Sequence, residues 1–95
     1  MTLDIDTTSN KQTIVKLGTK KLVWDSTVWR SQVVLPMIKK LLEDSKRPLT
    51  DISEIKVHPG PGSFTGLRVG AAIANAIAYI LGVKVNKKDF VSPKY

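Results

Sequence analysis

Cysteine is absent from these 95 residues, which removes disulfides, thiolate nucleophiles and every cysteine-based zinc or iron–sulfur site. Histidine occurs once, at His58, so the chain cannot offer a metal two imidazoles. Aromatic residues make up only 6% of the chain. None is interleaved with the basic pairs Lys20-Lys21, Lys39-Lys40, Lys46-Arg47 and Lys87-Lys88 as base-stacking RNA binders require. The longest apolar run, Leu67 to Val83, is broken by Arg68, Gly70 and Asn75 and dominated by alanine. It falls short of the ~20 strongly apolar residues of a membrane span. Asp4 and Asp6 stand where a secretory signal needs basic residues before an apolar run. These absences lead to the expectation of a cytoplasmic protein with no membrane segment.

What remains is 42% hydrophobic and 24% charged, the balance of one small globular domain. A chain of this size buries about two-thirds of its unfolded surface. Fifteen Lys and Arg against eight Asp and Glu leave a net charge of +7. The excess is spread over both halves, not gathered into an arm. Solvated faces account for the basic pairs better than a nucleic-acid groove does.

Leu3 and Ile5 alternate with Asp4 and Asp6, which predicts a first strand ending in the polar turn Thr7-Thr8-Ser9-Asn10. Thr13 to Leu17 and Lys21 to Ser26 read as two more strands, joined by a hairpin turn at Gly18-Thr19-Lys20. From Ser31 the period changes: Val34, Met37, Ile38, Leu41 and Leu42 fall at helical spacing over Ser31 to Lys46. Ser31 suits an N-cap. Pro36, a turn inside, predicts a start nearer Leu35 or an irregular first turn. A fourth strand is expected over Glu54 to Val57. A second helix is expected from an N-cap at Ser63 to Leu81, with Gly82 as its stop. Val83 to Val85 could add a fifth strand before a frayed tail. The order βββαβα(β) predicts an α/β fold: a mixed sheet whose last strands run parallel to the first, with helices on a face.

The second helix holds the most telling pattern. Gly66, Gly70, Ala74, Ala78 and Gly82 recur every four residues, a stripe that lets another backbone approach closely. Internal glycines each cost about 1 kcal/mol of helix propensity relative to alanine, so close packing must offset them. The partner is either the chain's own sheet or a helix from another chain. Ile73, Ile77, Ile80 and Leu81 supply apolar surface beside the stripe. The loop before it, Gly60-Pro61-Gly62-Ser63-Phe64-Thr65-Gly66, has neither the dinucleotide spacing nor the Lys-Ser/Thr pair of a P-loop. It reads as a turn and cap first and an anion site second. Ser63 has no assignable base, and His58 has a local role at the end of the fourth strand in preference to general-base catalysis. Asp4 and Asp6, with the hydroxyls after them, lack a visible third metal ligand.

Three segments together resemble the TsaB family: Asp6-Thr7-Thr8-Ser9, then Arg30-Ser31-Gln32 with Leu35-Pro36-Met37-Ile38, and above all the eleven residues from Gly60 to Gly70. The resemblance implies a single lobe of the actin-like (ASKHA, RNase H-like) superfamily over residues 1–86, a tail over 87–95, and no second lobe. It also implies a non-catalytic subunit that binds a TsaD-like enzyme in making threonylcarbamoyladenosine on tRNA. A TsaE-like ATPase would belong to the same complex, tRNA would be met only indirectly, and the isolated lobe would form a homodimer. Family members meet their partner through the two helices. That implies an interface from Ser31, Leu35, Met37, Ile38, Ser63, Phe64, Gly66, Leu67, Arg68, Gly70, Ala74 and Ala78. Asp6 and Thr7 match the phosphate-loop position, but one lobe cannot hold a nucleotide as two lobes do, so no ATP or magnesium is expected. A truncated lobe that self-associates and has left tRNA modification is the alternative.

Overall fold

A computed structural model describes residues 1–25 and 30–94, with Arg30 and Ser31 described in their backbone only. Strands β1 (Thr2–Asp6), β2 (Thr13–Leu17) and β3 (Lys20–Trp24) form an antiparallel meander. Helix α1 (Arg30–Ser45) then crosses to β4 (Glu54–Val57), which pairs in parallel with β1. Helix α2 (Phe64–Leu81) follows. The sheet order is β3-β2-β1-β4.

Strand alternation assigns the two faces. Leu3 and Ile5 from β1, Val15 and Leu17 from β2, and Ile55 and Val57 from β4 point to one side and are buried there. On that side Val34, Met37, Ile38 and Leu41 of α1 and Ala74, Ile77 and Ala78 of α2 complete one core. The pairing register puts Lys21, Lys16, Asp4 and Lys56 in a single row across the opposite face. The meander, both helices and the parallel return of β4 match the sequence expectation.

The departures are local. The third strand starts at Lys20 and ends at Trp24; Ser26, its expected end, lies outside the described residues. Helix α1 begins at Arg30, so Ser31 falls inside its first turn instead of capping it, and the Ser31 side chain lies outside the described residues. The helix also runs unbroken through Pro36, with neither a later start nor an interruption. Pro36 brings no N–H for the Gln32 carbonyl, and the buried Met37, Ile38 and Leu41 that follow hold the helix together by packing. Ile80 lies on the outer side of α2, not against the sheet.

Both ends of α2 are capped as expected. Ser63 accepts from the Gly66 amide, and Gly82 adopts φ 69° as the left-handed stop. By length and composition alone, with a mean hydropathy of 1.5, α2 is a helix able to cross a membrane. Here it is a core helix, with its Gly66, Gly70, Ala74 and Ala78 face turned inward.

The fifth strand is reduced to a single parallel bridge between Val85 and Ile55. Beyond it the tail is anchored, not frayed. The chain reverses at Asn86-Lys87, and Asn75 then takes both backbone groups of Val91: its Nδ2 donates to the Val91 carbonyl and its Oδ1 accepts from the Val91 amide, both at 2.8 Å. The Lys94 amide donates to the Pro59 carbonyl at 2.6 Å.

Candidate functional site

The end of β1 and the glycine loop, more than fifty residues apart in sequence, close on each other. Thr7 is fully buried, and its hydroxyl donates to the Gly66 carbonyl at 2.5 Å. The next carbonyl, that of Thr8, accepts from the Ser63 amide at 2.8 Å. Two glycines make room for this. A Cβ at Gly70 would collide with the Thr7 hydroxyl, and one at Gly62 with the Thr8 carbonyl. The eleven-residue run is therefore a socket for Thr7-Thr8, and the glycines are required by backbone approach within one chain.

Beside this socket, on the open sheet face, His58 stands between two carboxylates. Its Nε2 lies 3.1 Å from Asp4 Oδ1 and its Nδ1 3.9 Å from Asp6 Oδ2. The parallel register explains the meeting: Asp4 is opposite Lys56 and Ile5 opposite Val57, so the residue after β4 arrives beside Asp6. Asp6 Oδ1 accepts from the Thr8 amide at 3.0 Å and the Thr8 hydroxyl at 2.7 Å. Partial burial pushes the Asp6 carboxyl up. The two Thr8 bonds, with the His58 and Lys16 charges, outweigh that and hold it below its ordinary value. Asp4 and Asp6 approach opposite nitrogens of the ring. No group of three or more His, Cys, Asp or Glu side chains able to hold a metal ion occurs among the described residues.

Of the pair expected at the phosphate-loop position, Thr7 thus offers no group to solvent, and Asp6 keeps partial exposure while serving Thr8. The residues expected at the partner interface divide sharply. Met37, Ile38, Gly66, Leu67, Gly70, Ala74 and Ala78 are buried within the chain. The small-residue stripe therefore faces the chain's own sheet: Gly70 approaches Thr7, just past the end of β1, and Val57 of β4. Ser63 is half-buried as the α2 cap. Leu35, Phe64 and Arg68 are exposed, and Ser31 lies outside the described side chains.

The exposed side of α2 joins Phe64 and Arg68, expected at an interface, to Tyr79, Ala72 and Ala76, which the sequence motifs do not mark. Phe64 is 58% exposed and Tyr79 89%. Between them Arg68 sits 5.6 Å from the Phe64 ring centroid, a cation–π distance. Ala72, Ala76 and Ile80 continue the same face. The spacing 64, 68, 72, 76 and 79–80 was a readable signal, because it runs opposite the glycine stripe at the same period.

Residues 30–87 match the family model of TsaD, tRNA N6-adenosine threonylcarbamoyltransferase. The tRNA threonylcarbamoyladenosine biosynthesis protein TsaB of Escherichia coli is 46% identical over 48 residues, which cover 50% of this chain and 21% of that relative. A tRNA N6-adenosine threonylcarbamoyltransferase of Vesicomyosocius okutanii is 46% identical over 52 residues, covering 55% of this chain and 15% of that protein. The solved structure of YeaZ from Pseudomonas aeruginosa superposes with a TM-score of 0.76 at 25% identity, over 88% of this chain and 41% of that one. The matches thus span about a fifth of the curated relatives and two-fifths of the solved structure. With the three motif segments and a βββαβα lobe in place, the chain belongs to the TsaD family and is TsaB-like within it, carrying a single actin-like lobe.

Proposed function

We propose that this chain is a non-catalytic TsaB-like subunit. It docks on a TsaD-like threonylcarbamoyltransferase in the cytoplasm and supports threonylcarbamoyladenosine formation on tRNA. The observation that carries the reading is the exposed side of α2, where Phe64, Tyr79 and Ile80 leave apolar surface outside the core. Leu35 on α1 is exposed as well. Helix faces of this composition associate with other helices. That surface is the side of α2 opposite the glycine stripe.

The groups at the β1 end support the helper role. Thr7 is committed to Gly66, and the single histidine is committed to Asp4 and Asp6. A nucleotide has no free hydroxyl to meet at Thr7, and a TsaE-like ATPase would join through the complex. Contact with tRNA would be indirect, since the lysines of the open face share it with Asp4, Asp6 and Glu54.

Co-purification with a TsaD-like subunit tests this. Phe64→Asp together with Tyr79→Asp should abolish it, while Lys39→Asp on the outer face of α1 should not. Retained binding by the double variant would overturn the proposal. A lobe that only self-associates through the same face would lose its dimer in that variant, yet would never restore threonylcarbamoyladenosine in a cell depleted of TsaB.

A further inference from the structure

The outer edge of β4 is fully accounted for, and by an unusual donor set. The Ile55 amide donates to the Lys84 carbonyl at 3.1 Å, and the Ile55 carbonyl accepts from the Asn86 amide at 2.8 Å. One residue pair further along, the strand partner is gone and a side chain replaces it. The Val57 amide donates to Asn86 Oδ1 at 2.9 Å, and Asn86 Nδ2 donates to the Val57 carbonyl at 2.8 Å. A primary amide presents its oxygen acceptor and one of its N–H donors side by side, as a residue of a paired strand presents its C=O and N–H, so Asn86 acts as a surrogate strand residue.

The same residue turns the chain away from the sheet. Asn86 and Lys87 take φ of 52° and 64°, and Val85 and Lys88 exchange both backbone bonds at 2.9 Å. This is a two-residue reversal with both central residues in the left-handed region. The chain then returns toward α2 and the Pro59 loop. Asn75 holds Val91 there by the same amide-to-backbone pairing, and Lys94 bonds to Pro59.

We infer that residues 86–94 form a clasp that takes the place of a fifth strand and keeps the β4 edge from pairing with another chain. Left open, the outer edge of β4 would expose the N–H and C=O of Val57, a template for intermolecular strand addition. Asn86 is the positioning residue of the clasp, and Asn75 is its second anchor.

Amide hydrogen exchange and sedimentation velocity on the full chain test it together. Asn86→Ala should speed exchange at Val57 by about tenfold or more while Ile5 and Val15 stay protected, since the opening is local. It should also add concentration-dependent species absent from the wild type. Asn86→Asp is the isosteric second variant. It can accept from the Val57 amide but cannot donate to the carbonyl, so association should again appear. Asn75→Ala should free the Val91 amide and give a weaker form of the same association. Unchanged exchange at Val57 in Asn86→Ala would overturn the clasp. Faster exchange with the wild-type sedimentation profile at every concentration would overturn its role as a guard.

Discussion

Thr7 shows how much one hydroxyl can carry. It is fully buried, and its bond to Gly66 joins the turn after β1 to α2 across the space left by the missing side chain of Gly70. Thr7→Val keeps the shape and leaves the Gly66 carbonyl without that donor. Denaturant unfolding should show a loss of about 1–3 kcal/mol, with Thr7→Ser recovering most of it. Gly70→Ala forces a methyl onto the Thr7 hydroxyl and should cost about 1–3 kcal/mol by overpacking. It therefore probes folding, not partner contact. Asp6 adds a pH term. Its carboxyl is held below the ordinary value in the fold, so the stability it contributes is present above the unfolded carboxylate pKa of about 4. That stability is lost as pH falls through the lower folded value. The stability gap between wild type and Asp6→Asn, measured by urea titration, should be largest near neutral pH and close in strong acid.

Among the elements, α2 was the most legible and the most misleading. Its N-cap Ser63 and its stop Gly82 were readable because each is a local rule satisfied by neighbouring residues. Ser63→Ala should cost about 1 kcal/mol in thermal or urea unfolding. The direction of its small-residue stripe was not readable. Close backbone approach is the same requirement whether the neighbour is β1 of the same chain or a helix of another, and four-residue spacing cannot tell them apart. The buried contact of Gly70 with Thr7 decides it. Helix α1 carries the opposite lesson. Pro36 argues locally for a break, and packing of Met37, Ile38 and Leu41 overrides it. Pro36→Ala should therefore stabilise the protein by roughly 1–3 kcal/mol, since proline inside a helix costs about 3 kcal/mol.

At the scale of the whole molecule, the meander and the parallel return of β4 followed from strand alternation and the order of elements. The His58 bridge to Asp4 and Asp6 did not, because those partners lie more than fifty residues away and meet only through the β1–β4 register. The tail was illegible for a related reason: its anchors, Asn75 and Asn86, are amides that no periodicity marks. Burial also redraws the expected interface. The residues it removes from the surface are those of the glycine stripe and of the inner face of α1, and it leaves Leu35, Phe64, Arg68 and Tyr79 in view.

The bond from Thr7 to Gly66 spans 59 residues, and that separation has a consequence during synthesis. At about 5–20 residues per second, a ribosome needs roughly 3–12 s to add them. Through that interval the opening meander can pair with itself, but the side of β1 bearing Leu3 and Ile5 awaits its cover. The newborn chain thus passes through an obligatory half-built stage in which an apolar sheet face is open to the cell.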